Sequence, residues 1–226
     1  MHRRPPRASR ARTPGHARPP GPPTPPGPRR PPRTGRSDPP RPGRFPYDHE
    51  MTNPADALDE PPKFLTDQRA LLDGYLDAYR DALHRKLDGL SERELRTSRL
   101  PSGWTPLQLV KHLTHVELRW LVWGFCGTTM TEGRAWGDRG PHDRWHVADD
   151  ESPADVLAEH RRQWARSREI AAGVPAERRA SLGGRFSTEE EAPTLGWILF
   201  HLLQEYARHL GHLDVARELA DGRTGE

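Results

Sequence analysis

The sequence predicts an all-α protein, a four-helix bundle with long loops between its helices, preceded by a disordered arm rich in proline and arginine. Two observations support this fold class. Four segments after residue 62 place leucine and aromatic residues at three- and four-residue spacing, which is the period of an amphipathic helix. The same segments begin and end at capping residues, whereas the alternation that is typical of strands is weak or missing.

The arm, residues 1–50, differs in composition from the rest of the chain. It holds 16 of the 25 prolines and 12 of the 35 Lys+Arg residues but no leucine, isoleucine or valine. It cannot bury enough apolar surface to offset the entropy lost on ordering, so we expect disorder. A basic arm could bind nucleic acid or an anionic surface. The abrupt change of composition at Met51 favours a third interpretation, in which the preceding residues are a dispensable extension or result from a misplaced start. The predicted domains are the disordered arm, counted up to residue 55, and the helical bundle, residues 56–226.

Residues 51–226 are acidic, with 23 Lys+Arg against 29 Asp+Glu. This balance counts against specific nucleic-acid binding, because phosphate recognition depends on clustered cations. The sequence has no apolar run of the ~20 residues that cross a bilayer, so we expect no membrane partner. The single cysteine, Cys126, excludes an internal disulfide and fits a reducing compartment, so we expect a cytoplasmic protein.

The first two helices are predicted at about residues 67–88 and 106–124. The first carries leucines and tyrosines at helical spacing between residues 72 and 87 and stops at Gly89. The second begins at TPLQ. This start supplies a threonine cap, a proline at the first helical position and a glutamine that completes a capping box.

The third and fourth helices are predicted at about residues 153–172 and 195–220, after SPAD and after Thr194. The connection 127–151 is too irregular for a further helix, although its two tryptophans indicate that it packs against the bundle. The loop 173–193 could form a short extended pair around its two consecutive glycines. Four helices joined by such loops predict a bundle.

The predicted fourth helix carries a stripe of polar residues. Measured from His201 at about 100° per residue, Glu205 lies at about 40° and His209 at about 80°. His212 lies at about 20°. The leucines centre near about 140°, so Glu205 and His209 border the core, whereas the other two histidines lie farther out. Polar residues at this spacing are usually the solvated face of an amphipathic helix.

The predicted second helix carries one histidine that leans inward. The apolar residues span about 20° to 100° from His112, whereas His115 lies at about −60° and Arg119 at about −20°. A lone histidine at such a position is more often a hydrogen-bonded core residue than a ligand. Glu205 and His209 change this expectation, because side chains at i and i+4 of a helix converge on one point.

These residue types suit a metal. Facing helices of a bundle commonly assemble metal ligands from inward side chains. Two imidazoles and one carboxylate fit a divalent first-row metal, and zinc, nickel and iron all accept these donors. Three protein ligands leave a position open for water or a thiol, whose pKa a bound cation lowers. We therefore expect one divalent metal at His112, Glu205 and His209.

Two segments of the chain, LPSGWTPLQLVKHLTHVELRW and TLGWILFHLLQEYARHLGHLDVARELADGRTGE, resemble a known superfamily. The chain is similar to DinB/YfiT-like proteins, in the actinobacterial DinB-type branch of unknown function. The resemblance runs from about Asp56 to Glu226. It implies a DinB-like four-helix bundle, often dimeric, with one metal held by a histidine of helix two and a His/Glu-x-x-x-His pair of helix four.

Carried onto this sequence, the resemblance implies His112, Glu205 and His209 as the metal ligands. Glu205 departs from the superfamily's common three-histidine pattern. In this respect the sequence resembles the mycothiol-dependent isomerase branch. The other three histidines of the two helices remain reserve ligands or pocket residues: His115, His201 and His212.

The superfamily also implies a low-molecular-weight thiol such as mycothiol, used by transferases and isomerases that act on small electrophiles. Candidates for holding the thiol or the substrate are Arg119, Arg208 and Trp104. The resulting hypothesis is a metal- and thiol-dependent transferase or isomerase. The alternative is a noncatalytic, stress-associated bundle that binds a metal or a ligand. Tryptophans near the polar boundary of the helices favour a homodimer.

Overall fold

The structure is a computed structural model that describes residues 58–136 and 146–224. The predicted arm, residues 1–55, lies outside the described residues. The helices are α1 (Gln68–Leu87), α2 (Glu92–Leu95), α3 (Pro106–Glu117), α4 (Glu132–Trp136), α5 (Pro153–Ala171) and α6 (Leu195–Asp221). A π-helical segment, Leu118–Phe125, continues α3 without a break. The all-α fold class is confirmed.

The helix starts follow the capping residues in the sequence. Thr105 forms a capping box at α3, and the side chains of Ser152 and Thr194 accept backbone N–H groups at the starts of α5 and α6. Helix α1 begins one residue later than predicted, because Asp67 rather than Thr66 is its N-cap and accepts the hydrogen bond. These caps fix four long helices in the order the sequence predicts.

The four long helices form the bundle. Helix α1 packs against α6, and α3 packs against both α5 and α6. Because α3 has neighbours on two sides, most of its residues are buried. The core consists mainly of leucines, among them Leu83, Leu113, Leu202 and Leu213. None of the described helices is long and apolar enough to span a bilayer.

The two long connections differ from expectation. The first connection, residues 127–151, contains the five-residue helix α4. The prediction that this connection holds no further helix is therefore wrong. The side chains of Trp136 and Trp145, which were expected to pack, lie outside the described residues. In the second connection, residues 173–193, the predicted extended pair around the two glycines is wrong: the described residues there form no strand, and both glycines lie in a bend. An isolated bridge joins Arg179 to Thr194 at the start of α6.

A buried ion pair joins α1 to α3. Nε of Arg80 donates to Oε1 of Glu117 at 2.8 Å, and both residues are almost completely buried. The hydroxyl of Tyr206 on α6 donates to the same oxygen at 2.6 Å. The guanidinium of Arg80 also donates to Asp77 at 3.1 Å. Three helices are thereby held in one register by groups that cannot be left unpaired in the core.

Two histidines extend this network to α5. The Nε2 atom of His160 lies 2.7 Å from the Tyr206 hydroxyl, and Nδ1 of His160 lies 2.9 Å from Nε2 of His84. Because Tyr206 gives its only proton to Glu117, it must accept one from His160. His160 in turn accepts from His84. This direction of donation requires His160 to be neutral, because its Nδ1 atom must accept; burial, which lowers the pKa of both imidazoles, favours the neutral form of His84 as well.

Breaking the buried ion pair should destabilise the fold. Arg80→Met should lower the free energy of unfolding by about 3–5 kcal/mol, because Glu117 is left as an uncompensated buried charge. Chemical denaturation measures this change. The control is Arg162→Met, since Arg162 pairs with Glu159 on the surface and should contribute no more than about 0.5 kcal/mol. Equal losses in the two variants would contradict the assignment.

The neutral histidines predict a dependence of stability on pH. Burial lowers the pKa of His160 to about 3 and that of His84 to about 4, from an ordinary value of 6.5. The unfolded chain therefore binds more protons, so this stability is fully present above pH 6.5 and is lost as the pH falls toward 4. The loss over that range, measured by denaturation, should be smaller in His84→Gln. Identical pH profiles for the two proteins would exclude this origin.

Candidate metal centre

A carboxylate surrounded by imidazoles lies between α3 and α6. Glu205 lies one turn from His201 and from His209 on α6, and His112 approaches it from α3. The Nε2 atoms of His112 and His209 lie 3.5 and 3.3 Å from the same atom, Oε2 of Glu205. One donor atom from each of these three side chains lies within 4.8 Å of the others. The structure therefore brings together the three residues that the helical angles select.

The protonation states at this cluster suit metal binding. The neighbouring imidazoles of His112 and His209 hold the pKa of the Glu205 carboxyl well below its usual range. Burial lowers the pKa of His112, although Glu205 opposes this effect. The cluster thus contains an ionised carboxylate and a neutral imidazole at neutral pH. These are the forms in which both groups bind a metal ion.

The distances fit a small cation better than direct hydrogen bonds. Charge-assisted N–H···O bonds are usually about 2.7–2.9 Å long, and the two distances to Oε2 are longer than that. Two ligand atoms that each lie about 2.0–2.1 Å from a tetrahedral zinc ion are about 3.3–3.4 Å apart. Among the described residues, no lysine or arginine forms an ion pair with Glu205. The donor set, its charge and its spacing therefore fit one divalent cation.

His201 lies closer to the cluster than its helical angle indicates. Its Nε2 atom is 3.4 Å from Oε1, the other carboxylate oxygen of Glu205. Its ring stacks on Trp197 at a centroid distance of 5.3 Å and lies 4.6 Å from the ring of Trp120. The two indoles cover a residue that was expected to face outward. His201 can therefore orient Glu205, and its role as a reserve ligand stays a prediction.

The other two reserve histidines lie in different places. The exposed His212 has its ring 5.8 Å from that of His209 and 5.9 Å from that of Trp104, which places it beside the cluster. His115 instead lines a cavity between α3 and α5 with Lys111. The structure therefore brings His212, but not His115, to the candidate centre.

An apolar cavity of about 420 Å³ adjoins the cluster on the His209 side. Trp104, a predicted pocket residue, lines it with Leu109 and His212. The cavity is large enough for a small organic molecule. A ligand in it would lie directly beside one of the candidate metal ligands.

The two candidate arginines differ in burial. Arg119 is 5% exposed, and its charge adds to the effect of burial in lowering the pKa of both His112 and His201. The side chain of Arg208 is exposed. Arg119 thus acts on the electrostatics of the cluster, whereas contact of either arginine with a thiol stays a prediction.

The cluster has a second flank, on the His201 side, that the sequence does not predict. The guanidinium of Arg185 lies over the ring of Trp120, 3.9 Å from its centroid, and Trp120 also contacts Trp197. Arg185 belongs to an irregular loop that has no periodicity. No local signal in the sequence could therefore have connected it to α3 and α6.

The chain matches the model of a known protein family. Residues 71–222 match the model of the family described as Mycothiol-S-transferase, which spans nearly all of α1 through α6 and includes the whole cluster. A comparison with curated proteins finds none that matches. The resemblance to DinB-like proteins is confirmed by the family match. The chain therefore belongs to the mycothiol S-transferase family of the DinB-like superfamily.

Proposed function

We propose that this protein is a metal-dependent transferase that joins mycothiol, or a closely related thiol, to a small electrophile. His112, Glu205 and His209 hold one divalent ion of zinc, nickel or iron. The observation that carries this proposal is the convergence of three donor atoms within 4.8 Å beside a cavity, in a chain of this family. A cation bound there would lower the pKa of a thiol that coordinates it, and would so supply a thiolate near neutral pH.

The surrounding residues have separate tasks in this proposal. Glu205 supplies the negative charge that offsets part of the cation's charge, and His201 orients the Glu205 carboxylate through Oε1. The apolar cavity at Trp104 receives the apolar part of a ligand. Isomerisation of a thiol adduct would use the same groups, so the site supports both reactions.

A homodimer remains part of the proposal. Trp197 and Phe200 on α6 are 51% and 64% exposed. Large exposed apolar side chains on one helix favour an interface that covers them. A two-fold dimer is the commonest arrangement that would do so.

Metal content tests the ligand assignment. Protein purified without a histidine tag should contain about one divalent metal per chain, and removing one of three ligands should abolish this stoichiometry. The variants are His112→Ala, Glu205→Ala and His209→Ala, measured by elemental analysis. The control is His115→Ala, since His115 lies on α3 but lines a different cavity and should leave the metal in place. Chelation should lower the melting temperature of the parent protein.

The same proteins test thiol binding without an activity assay. In the cobalt-substituted parent protein, mycothiol should produce a near-ultraviolet thiolate-to-cobalt absorption band, and the three ligand variants should lack it. If all three variants contain as much metal as the parent protein, the assignment of the metal ligands is wrong. A bound metal without any thiolate band would instead favour the noncatalytic binding bundle.

A further inference from the structure

Arg185 is held in a defined position by the loop before α6. Its backbone N–H donates to the carbonyl of Trp123 at 3.1 Å, and the N–H of Ser181 donates to the carbonyl of Phe125 at 2.9 Å. A Cβ atom on Gly184 would lie 2.1 Å from the Trp123 carbonyl oxygen, so only glycine permits this close approach. The loop is therefore fastened to the end of the π-helical segment.

The side chain of Arg185 is a partly buried cation that has no counter-ion among the described residues. It packs over Trp120, and its Nη1 atom is buried with no hydrogen-bond partner. Within residues 58–136 and 146–224, its guanidinium forms no hydrogen bond or ion pair. Burial also lowers its pKa. A buried donor without a partner costs free energy, and more so when it carries a charge.

A chain of aromatic contacts leads from Arg185 to the metal centre. The ring of Trp120 lies 4.6 Å from that of His201, and His201 lies 3.4 Å from Oε1 of Glu205. His201 and His209 lie eight residues apart on α6, which is about 12 Å of helix. Arg185 and the apolar cavity are therefore at opposite ends of the cluster.

We propose that Arg185, held over Trp120, binds a carboxylate of the electrophilic substrate at the His201 end of the metal centre. A guanidinium presents two parallel N–H groups that match the two oxygens of a carboxylate. A neutral ligand would leave the charge uncompensated. The identity of the carboxylate as part of the substrate rests on the proposed function, whereas the binding of a carboxylate at this position does not.

The competing explanation is that Arg185 only packs against Trp120. A cation over an indole stabilises a fold without any ligand. Such a role would make Arg185→Gln less stable but would give it no preference between charged and neutral ligands. Comparison of two ligands of the same shape therefore separates the explanations.

Benzoate and benzamide are a suitable pair, because they differ in charge but little in shape. Both are titrated by calorimetry into the full chain, once with metal and once after chelation, since a carboxylate could also bind the metal itself. We expect benzoate to bind more tightly than benzamide in both forms. Arg185→Gln should weaken benzoate binding by at least about tenfold and leave benzamide binding unchanged. Arg185→Lys should be intermediate.

The control is Arg93→Gln, which removes the same charge from an exposed position on α2 and should leave benzoate binding unchanged. Inorganic phosphate is titrated as well, and tighter binding of phosphate than of benzoate would overturn the assignment to a carboxylate. Equal effects of Arg185→Gln on both aromatic ligands, or benzoate binding that needs the metal and ignores Arg185, would also overturn it. Metal content and the thiolate band do not depend on Arg185, so failure here leaves the proposed function to be judged separately.

Discussion

The buried pair of Arg80 and Glu117 is the constraint on which the rest of the bundle depends. Two charges in a leucine core are tolerated only if each meets its partner in good geometry, so the pair permits one register of α1 against α3. Tyr206 donates to the same carboxylate oxygen and adds α6 to that register. His160 hydrogen-bonds Tyr206 and adds α5.

This register also positions the candidate metal centre. Tyr206 points inward to Glu117, so its neighbour Glu205 points about 100° away around α6, toward the border of the core. His112 precedes Glu117 by five residues on α3 and reaches the same border. The polar network that fixes the helices therefore aligns His112 with Glu205. Core register and donor-atom spacing are two consequences of the same contacts.

The centre has two unlike ends along α6. Beyond His209 lies an apolar cavity with Trp104, and beyond His201 lie two indoles and the cation of Arg185. Such asymmetry can orient a ligand that has one apolar and one anionic end. The π-helical segment contributes to this arrangement, since it carries Trp120 and anchors the loop of Arg185. π-Helical turns frequently occur at functional sites.

The sequence by itself determined the four long helices, the N-caps of three of them and the three candidate ligands. Capping and amphipathic spacing act within a few residues, and i, i+4 neighbours such as Glu205 and His209 converge in any helix. Only the tertiary structure decided that Arg80 meets Glu117, 37 residues away, and that Arg185 lies over Trp120. These contacts depend on helix register and on an irregular loop. Neither has a local signal, because burial of a charge is decided by partners that are distant in the chain.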